Sequence, residues 1–220
     1  MDLTAAELLA ALQTHARPGE VVHKHYPGTG AVLGVPMRNT FDTAKAFASM
    51  PFAEVERLLD EPSYEGRLAG FCVLDFKARG KKTTDDERRT AYELYLRRHD
   101  AIDSWDMVDR AAPHVVGRYL LRRDRAPLFE LARTTDPLRR RTAITAPLYF
   151  ARFGAPTDLT DLFALAELLL ADQDPVVSKP VGIALKYAGV LDEQALRSFL
   201  QMHEPAMQRP TLRYAREKLS

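Results

Sequence analysis

Apolar residues recur at helical spacing along almost the whole chain, and proline or glycine interrupts that pattern at short intervals. The period-two alternation that strands require is nearly missing. Such a chain can only build many short helices. The periodicity predicts them over residues 4–15, 40–49, 51–59, 64–79, 84–99, 101–111, 114–122, 126–133, 138–153, 157–171, 176–188, 192–202 and 205–218. Two starts are written twice in the same way: Thr4 with Glu7, and Thr84 with Glu87, each a capping box that satisfies two backbone donors at once. Residues 16–37, rich in glycine and proline, read as a long loop.

About a dozen helices joined by short breaks suit a stack of helix pairs better than a four-helix bundle. The expected fold is therefore all-α, an α-solenoid of HEAT-like repeats, in a single domain over residues 1–220. A stack of this kind offers a long binding surface, with helix N-termini suited to phosphates. No apolar run approaches the roughly 18 residues a membrane span needs. The start Met1-Asp2-Leu3-Thr4 lacks the basic and apolar regions of a signal peptide. Cys72 is the single cysteine, so no disulfide framework is expected and a reducing, cytoplasmic setting fits. Its apolar surroundings predict a buried, inert thiol.

The formal net charge of +1 hides an uneven distribution. The stretch from Lys77 to Arg141 is rich in arginine and lysine, while the flanks are acidic. A basic middle is what a polyanion-binding face would need, and equally what solvated helix surfaces look like. Several familiar motifs fail. The Gly28 to Gly34 stretch superficially resembles a nucleotide loop, but its third glycine is misplaced and no strand precedes it. His23 and His25 form an HxH pair without a second ligand cluster, so a surface loop is the favoured reading. There is no Walker loop, HExxH or GxSxG, and no metal or cofactor is expected.

Ser104-Trp105-Asp106-Met107-Val108-Asp109 carries the only tryptophan. On a helix, Trp105 and Asp109 share a side one turn apart. An aromatic face beside a carboxylate suits a planar cation or a cationic transition state. The same residue also completes an apolar stripe with Ile102, Val108 and Ala112, and by that pattern alone Trp105 reads as core.

Four stretches together resemble the AlkD-like DNA alkylation repair family, HEAT-like repeat DNA glycosylases. They are Leu33-Gly34-Val35-Pro36-Met37-Arg38; Ile102 to Asp109 continuing through Ala112-Pro113-His114 to Gly117; Leu138-Arg139-Arg140-Arg141-Thr142-Ala143-Ile144 on to Tyr149 and Phe150; and Asp174 to Lys186. The likeness spans roughly residues 30 to 190. It implies an enzyme that hydrolyses the N-glycosidic bond of N3- or N7-alkylated purines in double-stranded DNA, without a cofactor, membrane attachment or lyase step, acting as a monomer. Asp109 would be the key carboxylate and Trp105 the aromatic wall. Arg141 would hold the DNA backbone, with Arg140, Tyr26, Lys179 and Ile183 as further DNA-binding positions; His25 is the alternative to Tyr26.

The chain departs from the family at one wall of the expected cleft. Where active members carry a second tryptophan, Ile183 stands, and Pro180 interrupts the same helix. A proline there is either tolerated near the helix start or kinks it. Two readings follow: an alkylpurine glycosylase, or a noncatalytic DNA-binding protein on the same scaffold.

Overall fold

A computed structural model describes residues 3–28 and 30–219. Among them the structure is all-α, the helical-repeat class expected, with one isolated bridge between Ala31 and Ser63 as the only extended pairing. Thr29, Met1 and Asp2 lie outside the described residues, so the Gly28 to Gly34 stretch and the N-terminal tetrapeptide are described only in part. No described helix is long and apolar enough to cross a membrane. Within the span 1–220, contacts cluster into two compact units, Met1–Ala111 and Ala112–Ser220.

The first unit contains α1 (Ala5–Gln13), α2 (Met37–Ala46), α3 (Phe52–Leu59), α4 (Tyr64–Arg79), α5 (Asp85–Arg97) and α6 (Trp105–Ala112). Both predicted capping boxes form, at Thr4 and at Thr84. α4 is the centre: α1, α2, α3 and α5 all pack on it, and most of its residues are buried. That explains the unbroken apolar run from Leu68 to Leu74 and why the charges of Glu65, Arg67 and Asp75 on the same helix are buried. Cys72 is buried on α4, and desolvation pushes its thiol up to about 12 despite nearby Arg110, so it is inert as expected. α2 starts at Met37 rather than residue 40, because Pro36 has the extended geometry of a helix entry.

The second unit opens with a π-helical turn (Pro113–Gly117) and continues through α7 (Arg118–Leu120), α8 (Ala126–Ala132), α9 (Pro137–Thr145), α10 (Leu148–Phe153), α11 (Leu159–Leu168), α12 (Pro175–Leu191), α13 (Glu193–His203) and α14 (Arg209–Arg216). α9 and α12 begin alike: Asp136 and Asp174 accept from the backbone N–H two residues on, and a proline follows each. α12 is the centre here, contacted by α9, α10, α11, α13 and α14. Three expected helices are broken. The predicted 138–153 helix divides at Pro147, which lacks the N–H needed to continue α9. The predicted 205–218 helix splits into a 3₁₀ turn (Glu204–Ala206) and α14, which restarts with Pro210 in its first turn. The predicted 114–122 helix becomes the π turn and the short α7.

Two features of this unit lead to measurable expectations. A Cβ on Gly117 would lie 2.0 Å from the Ala146 carbonyl oxygen, a backbone atom that cannot swing aside. Gly117→Ala is therefore expected to destabilise the protein by about 3 kcal/mol or more, read from the urea midpoint at unchanged slope. Asp158 accepts from the Ala155 N–H at 2.8 Å and pairs with Arg122 at 3.1 Å and with Arg125. Burial alone would raise its carboxyl, but the Ala155, Arg125 and Arg122 hydrogen bonds outweigh it and hold it below the ordinary value. The stability it contributes is complete above about pH 3.9, the unfolded value, and is lost as pH falls toward the lower folded one. Urea unfolding across acid pH should show Asp158→Asn less stable at neutral pH and converging on the parent as acidity increases.

Candidate active site

α6 sorts its residues by helical phase. At about 100° per residue, Met107, Val108, Ala111 and Ala112 share one side, and all four are buried. Trp105, Asp106, Asp109 and Arg110 lie on the other; Trp105 is half-buried and Asp109 exposed. Trp105 thus borders the apolar stripe instead of filling the core, which corrects the reading from pattern alone. Arg110 sets this phase. Its guanidinium lies over the Phe41 and Phe76 rings at 4.8 and 4.6 Å, and 3.0 Å from the buried Asp75 on α4. Burial raises the Asp75 carboxyl even with Arg110 and Arg79 beside it.

The loop before α2 is pinned by Glu65, in the first turn of α4. Its fully buried carboxylate accepts the backbone N–H groups of Leu33, Gly34 and Val35 at 2.8 to 3.1 Å. His23 Nε2 lies 3.0 Å from the same carboxylate, with its side chain 6 % exposed. Gly34 makes this convergence possible through a positive φ of 79°, open to glycine without strain. His23 and His25 are therefore not on a surface loop, contrary to expectation: both rings are turned inward against α4 and α6. Among the described residues, no group of three or more His, Cys, Asp or Glu is placed to hold a metal.

Around Tyr64 the loop builds an aromatic and polar cluster. Tyr26 lies against Tyr64 with centroids 4.4 Å apart, and His23 does so at 4.9 Å. The Tyr26 hydroxyl donates to Asp103 at 2.6 Å and accepts from Gly30 N–H and Arg67 at 3.1 Å each. Burial foremost, then the hydrogen bond to Asp103, raises the Tyr26 phenol above its ordinary value. Tyr64 donates to Asp106, which also accepts from Ser104. His25 reaches the same carboxylate and stacks obliquely on Trp105, centroids 5.4 Å apart. The sequence singled out Trp105, Asp109 and Tyr26 but missed Tyr64, Glu65, Asp103 and Asp106. Only the buried pairing of these groups identifies them, and nothing in their local spacing signals it.

The remaining expected residues lie in the second unit. Arg140 is committed to Asp172 at 2.7 Å and to the carbonyls of Thr134 and Thr135. Arg141 is buried, 6 % exposed, and its Nη1 donates to the Val176 carbonyl at 2.6 Å. That carbonyl is the one whose helical donor would be residue 180, and Pro180 has no N–H. Arg141 thus supplies the missing hydrogen bond, and α12 runs on through the proline to Leu191. Lys179 is exposed and Ile183 half-buried on the same helix.

The basic run from Lys77 to Arg141 is largely neutralised in three dimensions. Arg79, Arg89, Arg97, Arg98, Arg110, Arg122, Arg125, Arg139 and Arg140 each pair with carboxylates. An open cleft of about 850 Å³ beside α8 shows the pattern: Arg122, Arg123 and Arg125 line it together with Asp124, Asp158 and Asp161.

An all-α helical-repeat protein that presents an indole and a carboxylate on one helix face is the class these features define. The family model described as DNA alkylation repair enzyme matches residues 7–219, and the chain belongs to that family. No curated protein matches it.

The energetic coupling between Pro180 and the hydrogen bond from Arg141 to the Val176 carbonyl is open to a double-mutant cycle. Arg141→Met is expected to cost about 2 kcal/mol in urea unfolding, the range for a charged donor leaving a buried carbonyl. In a Pro180→Ala background the residue 180 N–H is restored, and the same change should cost clearly less.

Proposed function

We propose that the protein is a monofunctional DNA glycosylase that removes N3- and N7-alkylated purines from double-stranded DNA, acting as a monomer. The observation that carries the reading is the pairing on α6 of the half-buried Trp105 with the exposed Asp109, one turn apart. Membership in the DNA alkylation repair enzyme family supports it.

The chemistry suits these two groups. Alkylation leaves the purine positively charged, so it departs as a neutral base with the electron pair of its glycosidic bond. The deoxyribose left behind is an oxocarbenium-like cation. Asp109 stabilises that charge and positions the water that adds to C1′, whose surplus proton passes to the carboxylate or to solvent. Trp105 contributes its π face to the cation. Lys179 on α12 and Arg141 on α9 are the proposed phosphate contacts, with Arg140, Ile183 and Tyr26 as supporting positions. Hydrolysis of this kind requires neither a metal nor a covalent lysine intermediate.

A second reading rests on Ile183. An aliphatic side chain has no π face, so without the second tryptophan that the family resemblance expects, a cation is stabilised less well. On that reading the protein binds DNA without excising bases. Free-base release from DNA containing N7-methylguanine and N3-methyladenine decides between the two. The glycosylase reading predicts release by the parent protein and its loss in Asp109→Asn, with DNA affinity barely changed. No release above background, together with binding that weakens steeply as salt rises, supports the noncatalytic reading. A flat salt response would sink both.

A further inference from the structure

His25 approaches Trp105 from the loop before α2, inside the same unit. Its Nε2 lies 3.0 Å from the Tyr64 hydroxyl oxygen and 3.3 Å from Asp106 Oδ2. The Tyr64 hydroxyl donates to Asp106. Burial, then the charge of Asp106 and that hydrogen bond, push the Tyr64 phenol far above its ordinary value, so it keeps its proton. Only lone pairs therefore face His25 at this point, and Nε2 must carry a hydrogen and donate it. Both partners sit on helices, Tyr64 on α4 and Asp106 on α6, so the imidazole is held from two directions. The groups facing it are Asp106, Tyr64 and His23, whose own ring is 6.0 Å away and tied to Glu65.

A ring fixed in this way has one prominent neighbour. The imidazole plane meets the Trp105 indole at 59°, centroids 5.4 Å apart, in the range of favourable aromatic contacts. The His25 side chain is 30 % exposed and Asp106 only 13 %, so the imidazole stands between the buried pair and solvent beside the indole. Loop, α4 and α6 thus converge on one side chain that touches the aromatic wall.

We propose that His25 is a positioning residue: it braces the Trp105 indole in the orientation the site uses, with Asp106 and Tyr64 as its mount. Its effect on base release rests on the glycosylase reading; the brace itself does not.

Trp105 is the only tryptophan in the chain, so tryptophan emission reports the surroundings of this one indole. His25→Phe keeps a ring against the indole and should leave the emission maximum in place. His25→Ala should shift the emission to the red, raise quenching by acrylamide, and lower the kcat of base release by about 10-fold with little change in KM. Circular dichroism serves to confirm that both variants fold. The proposal is overturned if His25→Ala leaves emission and acrylamide quenching unchanged, or if His25→Phe shifts the emission as far as His25→Ala does. A parent protein that releases no base would refute the glycosylase reading, and the fluorescence would still decide the brace.

Discussion

The buried carboxylate of Glu65 is the interaction on which the candidate site depends. An ionised carboxylate withdrawn from water is costly unless donors surround it. Here Leu33, Gly34, Val35 and His23 do so, and every one of those donors lies on the loop before α2. The consequence runs both ways. The charge is tolerated only because the loop folds onto it, and a loop without regular hydrogen bonds of its own is held by the charge. His25 and Tyr26 follow the backbone into position and complete the cluster around Tyr64. Trp105 gains its contact with His25 from that arrangement.

A second dependence joins two features that the sequence presents as unrelated. Pro180 removes a donor from the interior of α12, and Arg141 on α9 replaces it at the Val176 carbonyl. The arginine that the family resemblance marks for DNA is thereby also a structural part of α12. The wider basic run tells the same story. Its excess of arginine is substantial in sequence, yet Arg97, Arg98, Arg110, Arg122, Arg125 and Arg140 face carboxylates brought from distant elements. Composition along a chain is a poor guide to the field it presents, because pairing takes place across helices that sequence distance does not reveal.

Much of the architecture was legible because its signals are local. The capping boxes at Thr4 and Thr84 form within a few residues and appear where expected; the Asp-Pro starts at Asp136 and Asp174 are equally local. α4 matches its predicted bounds because an apolar run from Leu68 to Leu74, in a segment flanked by Ser63 and Gly80, leaves little choice. The misreadings are also physical. Pro147 ends α9 where apolar periodicity runs straight through, since period reports the buried face and not the hydrogen-bond ladder. His23 and His25 were read as surface because neither their spacing nor their glycine-rich surroundings hints at a buried partner 42 residues away in Glu65.

The sequence by itself determined the all-α class, the position of most helix starts, the inert burial of Cys72, and the pairing of Trp105 with Asp109 on one helix face. Those properties depend on side-chain period, capping and backbone geometry, all of which act over a turn or two. Only the tertiary structure decided that Trp105 borders the core, that His25 leans on it, that Arg141 is spent on Val176, and that the arginine surplus is mostly paired. Each of these is a contact between residues far apart in sequence, chosen by which buried charge or polar group most needs a partner. A local pattern carries no record of that need.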